Sequence, residues 1–178
     1  ILLQMAADAG ESTGEPLVPA QAGAIVRQAL SGLPDPARIA VHDAGVDPTV
    51  LTPVRSLTQA VRALVKNAID ASPAGAPIEV ALSDEGERLR ITVRDRGCGM
   101  SAEVLGRVGE PFYTTKPPDR GMGLGLFLSR TVVEQLEGEL HIDSAPGRGT
   151  SVAIVLPRRG PATIRRIAGG GAAATRGA

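Results

Sequence analysis

Apolar residues in this chain follow two periods, and the periods lay out its elements. From Pro53 to Ala71 the period is helical. Leu57, Val61, Leu64, Val65 and Ala68 share one stripe at about 100° per residue, with Arg62 and Lys66 opposite, toward solvent. Asn67 lies on the shoulder of that stripe beside Ala60, Ala63 and Asp70, half buried, where a polar side chain needs a partner. From Ile78 the period drops to two. Ile78, Val80 and Leu82, then Leu89, Ile91 and Val93, alternate with polar residues around Asp84-Glu85-Gly86-Glu87. This predicts a hairpin with one apolar and one wet face. Counting on by two from Val93 reaches Asp95, so its carboxylate points to the core side at a strand end. A buried, unpaired carboxylate is costly, and an N–H donor on a ligand would satisfy it.

The remaining segments are shorter. Ala20 to Leu30 reads as a helix through Ala22, Ile25, Val26, Ala29 and Leu30, and Ile39 and Val41 as a half-buried strand. Asp47-Pro48 reads as a turn. Ser101 is placed to cap a short helix, with Glu103 in its first turn. Gly123 to Glu137 reads as a second strong helix with Leu124, Phe127, Leu128, Thr131, Val132 and Gln135 on one side. Leu140 and Ile142 mark a strand. Val152, Ile154 and Leu156 mark the last one, and Thr150 shares their inward parity. Hairpin-linked strands with helices grouped between them predict an α/β (α+β) two-layer sandwich. Its mostly antiparallel mixed sheet would be covered on one face by helices.

Composition narrows the function. The chain has 178 residues, 43% hydrophobic but 2% aromatic, so the core is built of Val, Ile, Leu and Ala. Acidic and basic residues balance at 19 each, so charge does not imply nucleic acid as a partner. A single cysteine, Cys98, supports neither a disulfide framework nor a zinc site, and it reads as a small filler. No apolar run is long enough to span a membrane. Ile1 to Ala9 reads as the last turns of a helix whose body lies outside this chain, and Gly10 to Pro19 as a linker. From Arg158 the pattern is lost, and Gly169 to Ala178 has a low-complexity, disordered composition.

Two glycine-rich turns carry the candidate chemistry. Gly121-Met122-Gly123-Leu124-Gly125-Leu126 precedes an apolar helix, whose unpaired N–H groups suit phosphates. A flexible loop ending at a helix reads equally well. The spacing is not that of a dinucleotide fingerprint, and no Walker-type loop occurs. Asp95-Arg96-Gly97-Cys98-Gly99-Met100 follows a strand, as a surface turn with a solvated Asp or as a carboxylate turned inward. Asn67 is a structural polar residue or an amide oxygen among the ligands of Mg2+, which prefers octahedral oxygen. Lys116 is a solvated loop residue or a phosphate ligand. His42 and His141 fall on outward positions and read as surface residues.

Taken in order, Asn67-Ala68, Asp95-x-Gly97-x-Gly99-Met100, Pro111-Phe112-Tyr113-Thr114-Thr115-Lys116, Gly121 to Leu126 and Gly147-Arg148-Gly149-Thr150 resemble the N, G1, F, G2 and G3 boxes of sensor histidine kinases. These kinases belong to the wider GHKL ATPase superfamily. The resemblance covers roughly Leu17 to Pro157, and the wording from Gly121 to Arg130 and from Gly138 to Pro157 is kinase-like; a RegB/PrrB-type redox sensor is one subfamily it resembles. It implies the Bergerat sandwich and an ATP site of Asn67, Asp70, Asp95, Gly97, Gly99, Met100, Phe112, Lys116, Gly121, Met122, Gly123, Leu124, Gly125, Leu126 and Thr150. In that reading Asp95 accepts from the adenine amine, with Thr150 and a water nearby. Gly97 and Gly99 give the base room, and Asn67 holds Mg2+ against the phosphates. Gly121, Gly123 and Gly125 shape the end of a lid running from Phe112 to Arg120.

The resemblance further implies γ-phosphoryl transfer from ATP to a histidine on an upstream dimerisation domain, then relay to a response regulator. The full-length protein would be a cytoplasmic-facing homodimer, with membrane contact only through parts outside this chain. Residues 1–14 would be the end of the dimerisation helix and a linker, 15–160 the ATP-binding domain and 161–178 a disordered tail. Two features depart from the pattern. Ala63 stands one helical turn before Asn67, where relatives often carry Asn or Glu, and no histidine here sits on an amphipathic helix beside an acid. Ala63 favours an alternative, a nucleotide-binding module without transfer activity. A gyrase- or MutL-like clamp is disfavoured, because that class uses a Glu there to activate water.

Overall fold

The computed structural model describes residues 15–117 and 122–160. The expectations for residues 1–14 and 161–178, and for Gly121 and the 118–120 part of the connection, lie outside the described residues. The chain forms β1 (Val18–Gln21), α1 (Ala22–Leu30), β2 (Ile39–His42), β3 (Thr49–Thr52), α2 (Val54–Ala71), β4 (Ile78–Asp84), β5 (Arg88–Arg94), α3 (Ala102–Arg107), α4 (Gly125–Gln135), β6 (Glu139–Ser144) and β7 (Thr150–Pro157). A five-stranded sheet runs β2-β4-β5-β7-β6. Only β2 against β4 is parallel; the other pairings are antiparallel. Helices α1, α2 and α4 cover one face.

The core follows the two periods of the sequence. Leu57, Val61, Leu64, Val65 and Ala68 of α2 are all buried, as are Ile78, Val80 and Leu82 of β4 and Leu89, Ile91 and Val93 of β5. In the hairpin Val80 stands opposite Val93 and Leu82 opposite Ile91, so one apolar face meets the helices. Ser101 caps α3, accepting from the Val104 N–H at 3.3 Å.

Several expectations needed correction. Val18–Gln21 is no linker or helix start: it pairs with Thr49–Thr52 as a small antiparallel ribbon, and α1 begins only at Ala22. These four-residue strands carry too few positions to show an alternation. On α4 the buried positions are Ser129 and Val133, followed by Leu136, while Leu128 is exposed and Gln135 faces solvent. The face is turned because the Ser129 hydroxyl satisfies itself against the carbonyls of Ala60, at 3.2 Å, and Gly125, at 2.8 Å. Val41 is exposed, since β2 lies at the sheet edge. Arg62 is not free in solvent; its guanidinium donates to the carbonyls of Ala29 and Ser31 at the C-terminal end of α1.

The pattern also does not end at Arg158. Its N–H donates to Glu87 O and its carbonyl accepts from Leu51 N, both at 2.9 Å. Its side chain donates to the Asp84 carboxylate at 2.9 Å and to Thr49 O at 3.3 Å. One residue thus joins the β4–β5 hairpin to the β1–β3 ribbon. Arg158→Ala is expected to cost about 1 kcal/mol, the lower range for a partly exposed charged pair. The check is thermal unfolding, where the Tm should fall by about 2–4 °C.

Candidate functional site

The C-terminal ends of β5 and α2 meet the two glycine-rich turns, and this junction gathers most of the candidate residues. Asp95 continues β5 and is 7% exposed. Its N–H donates to Thr150 O at 2.9 Å, which extends the β5–β7 ladder by one step. Its Oδ1 accepts from Gly97 N at 2.7 Å and Thr150 N at 3.2 Å. Oδ2 has no partner among the described residues. Burial pushes the Asp95 carboxyl above its ordinary range, only partly countered by the two N–H donors. The inward direction counted from the strand parity is therefore the observed one.

Gly97 and Gly99 allow two close backbone approaches. A Cβ at Gly97 would strike the carbonyl of Ala71, and one at Gly99 the carbonyl of Ala145. In the direction a Cβ would take, the space beside them is filled mainly by backbone. Their missing side chains let the turn press against the end of α2 and against the β6–β7 loop. Cys98 N donates to Ala71 O at 3.3 Å and Gly147 N to Cys98 O at 2.7 Å, which fixes the same approach. Cys98 itself is exposed and fills nothing.

Ser144 is a residue the sequence did not flag. Its hydroxyl accepts from Met100 N at 2.9 Å, donates to Gly149 O at 3.0 Å and lies 3.0 Å from Thr150 Oγ1. It therefore links the turn holding Met100 to the loop holding Thr150. A lone serine at a strand end carries no spacing signal that could have revealed this.

At the other end, Asn67 and Asp70 stand one turn apart on α2 and converge on a single ammonium. Lys116 Nζ donates to Asn67 Oδ1 at 2.9 Å and to Asp70 Oδ2 at 2.8 Å. This is the partner that a half-buried Asn67 required. The segment bearing Lys116 is anchored further back, where the Arg107 guanidinium stacks 4.1 Å from the Tyr113 ring centroid. Phe112 holds a left-handed backbone (φ 65°), uncommon for an aromatic residue, and its side chain is 54% exposed. Gly123, at φ 71°, packs so closely on the Phe112–Tyr113 backbone that a Cβ could not fit. Both ends of the connection therefore touch.

Gly125 opens α4 directly above α2. A Cβ there would lie 3.7 Å from Ala63 Cβ and 3.9 Å from Asn67 Nδ2. Leu124 occupies the N-cap position without a side-chain acceptor, so the first N–H groups of α4 are uncapped by any side chain. Leu126 packs against the core, and Met122 is 63% exposed. Two cavities border the junction. One, about 640 Å³, is lined by Asp95, Gly149, Thr150, Arg94, Arg96 and Arg148. The other, about 850 Å³, lies between α2 and α4 over Ala60, Ala63, Gly125, Leu128 and Val132. Among the described residues no cluster of three or more His, Cys, Asp or Glu side chains forms a metal centre, and no helix is long and apolar enough to cross a membrane.

Known proteins share the family and the fold of this chain. Residues 52–160 match the family described as histidine kinase-, DNA gyrase B-, and HSP90-like ATPase. Sporulation kinase E of Bacillus subtilis (strain 168) is 39% identical over 120 residues, 67% of this chain and 16% of that protein. Sporulation kinase A of the same organism is 38% identical over 96 residues, 54% of this chain and 16% of that protein. This chain therefore spans about a sixth of the length of these relatives. Among solved structures, a mycobacterial sensor histidine kinase, MprB, superposes with a TM-score of 0.70 at 26% identity, covering 82% of this chain and 99% of that one. The five-stranded mixed sheet with helices on one face is the α/β sandwich of such catalytic domains.

The raised carboxyl of Asp95 has a measurable sign. A folded-state pKa above the unfolded one favours folding in acid, and that contribution is lost as pH rises through the folded value. At neutral pH the ionised carboxylate thus weighs against folding. Asp95→Asn keeps the Oδ1 acceptor and removes the charge, so it should raise the Tm of the ligand-free protein at pH 7.5. The gain should shrink as the pH approaches 4, and thermal scans across that range check it.

Proposed function

This chain belongs to the histidine kinase-, DNA gyrase B-, and HSP90-like ATPases, and from that membership we propose that it is the ATP-binding catalytic domain of a two-component sensor histidine kinase. The observation that carries the reading is Asp95: a buried carboxylate with Oδ1 committed to two backbone donors and Oδ2 left for a ligand. An adenine exocyclic amine is a donor of the required kind. Thr150, with Ser144 behind it, stands beside that position. At the phosphate end, the uncapped N-terminus of α4 offers N–H groups and a partial positive charge.

The residues present suit Mg2+. Asn67 Oδ1 and Asp70 Oδ2 are oxygen donors that already share one cation, and Mg2+ characteristically takes one or two protein oxygens with water and phosphate completing its shell. When bound, the ion would neutralise charge on the β- and γ-phosphates. Asn67 would hold it, and the first turn of α4 would orient the phosphates. Ala63 beneath Gly125 supplies no base to activate water. That suits transfer to a histidine nitrogen, which is already a nucleophile, better than rapid hydrolysis.

In this reading the acceptor histidine lies on a dimerisation domain of the parent homodimer. A response regulator receives the phosphoryl group, and residues 15–160 are the nucleotide-binding unit. The domain works on the cytoplasmic side, any membrane contact being made by other parts of the parent. Asp95→Asn places an amide N–H against the adenine amine and should weaken ATP binding about 10- to 100-fold, the range for losing a hydrogen bond to a charged group. Calorimetric titration of ATP in EDTA and in Mg2+ measures this. With the upstream helices supplied and γ-labelled ATP, acid-labile phosphohistidine is the expected product. Unchanged ATP affinity in Asp95→Asn would overturn the reading.

A further inference from the structure

We infer that Asp70 is a second protein ligand of the metal and that Lys116 occupies the metal's place until it arrives. This deepens the reading above and rests on it. The two oxygens come from positions i and i+3 of α2, which brings them side by side on one face. They meet at one point, the Lys116 ammonium, 2.9 Å from Asn67 Oδ1 and 2.8 Å from Asp70 Oδ2. Asp70 is otherwise misplaced. A carboxylate beside a polyphosphate is repelled by it unless a cation stands between them. Lys116 is that cation in this structure, and Mg2+ is the cation a nucleotide carries.

The two cations cannot share the seat. An Mg2+ ion within bonding distance of both oxygens would lie within a few ångströms of the ammonium, and two positive charges at that separation repel strongly. Binding the metal therefore expels Lys116 and uncouples the Phe112–Lys116 segment from α2. The exchange is open to solvent, since the Lys116 and Asp70 side chains are 29% and 34% exposed. A partly exposed pair of this kind is weak enough for a divalent ion to displace.

The chain offers a direct test, because Lys66 and Lys116 are its two lysines and Lys66 is exposed. The full 178-residue protein, free of nucleotide, is treated with an amine-reactive reagent at rising Mn2+ and constant ionic strength. Labelling is read by mass spectrometry with Lys66 as the internal reference. Mn2+ should raise Lys116 labelling about two- to fivefold. Asp70→Asn should raise it without metal and abolish the response. In Lys116→Met, paramagnetic broadening of the Asn67 side-chain amide should need about two- to fivefold less Mn2+ than in the wild type. Labelling that is flat or falls with Mn2+, or unchanged broadening in Lys116→Met, overturns the inference. Its failure is separable from that of the proposed function, which stands or falls on ATP binding in EDTA and its loss in Asp95→Asn.

Discussion

The site depends on a carboxylate that the fold keeps out of water. Asp95 is almost fully buried, and the charged form is disfavoured there. Two backbone N–H groups, from Gly97 and Thr150, hold one of its oxygens in place. The neighbouring Thr150 carbonyl takes the Asp95 N–H, so the β-ladder itself sets the direction of the side chain. A neutral acceptor would keep both of these bonds without the cost of a buried charge. Its second oxygen, Oδ2, stays uncommitted among the described residues.

Around that carboxylate the turns behave as structural clamps. Gly97 and Gly99 bring the turn into contact with the C-terminal end of α2 and with the β6–β7 loop. Ser144 then couples Met100 to Gly149 and Thr150 through one hydroxyl. The Asp95 end and the Lys116 end of the junction are thus joined through Ala71, four residues beyond Asn67 and one beyond Asp70, whose oxygens hold the Lys116 ammonium.

Much of this was legible in the sequence because burial leaves a periodic trace. The stripe on α2 and the alternation on β4 and β5 gave the core and the direction of Asp95. The half-buried shoulder at Asn67 correctly demanded a partner, which proved to be Lys116. What was illegible lacked a period or depended on a tertiary contact. The β1–β3 ribbon is too short to alternate. The face of α4 was misjudged because Ser129, polar by composition, buries itself by donating to carbonyls. Arg158 reads as the end of the pattern, yet its guanidinium and backbone tie the β4–β5 hairpin to the β1–β3 ribbon. Gly97 and Gly99 were visible as glycines, but which group occupies the space beside them cannot be counted from spacing.

Glu15 gives α2 one more property. Its carboxylate accepts from the backbone N–H of Arg55 and Ser56 and from the Ser56 hydroxyl, fastening the incoming chain to the first turn of that helix. Burial raises its pKa, and the donors outweigh this, leaving it below the ordinary range. From Arg55 to Asn67 the helix rises about 18 Å without a proline or glycine to soften it. The helix thus lacks the residues at which helices usually kink. The fastening at Glu15 and the oxygens of Asn67 and Asp70 therefore belong to one unbroken helix, their spacing set by its rise.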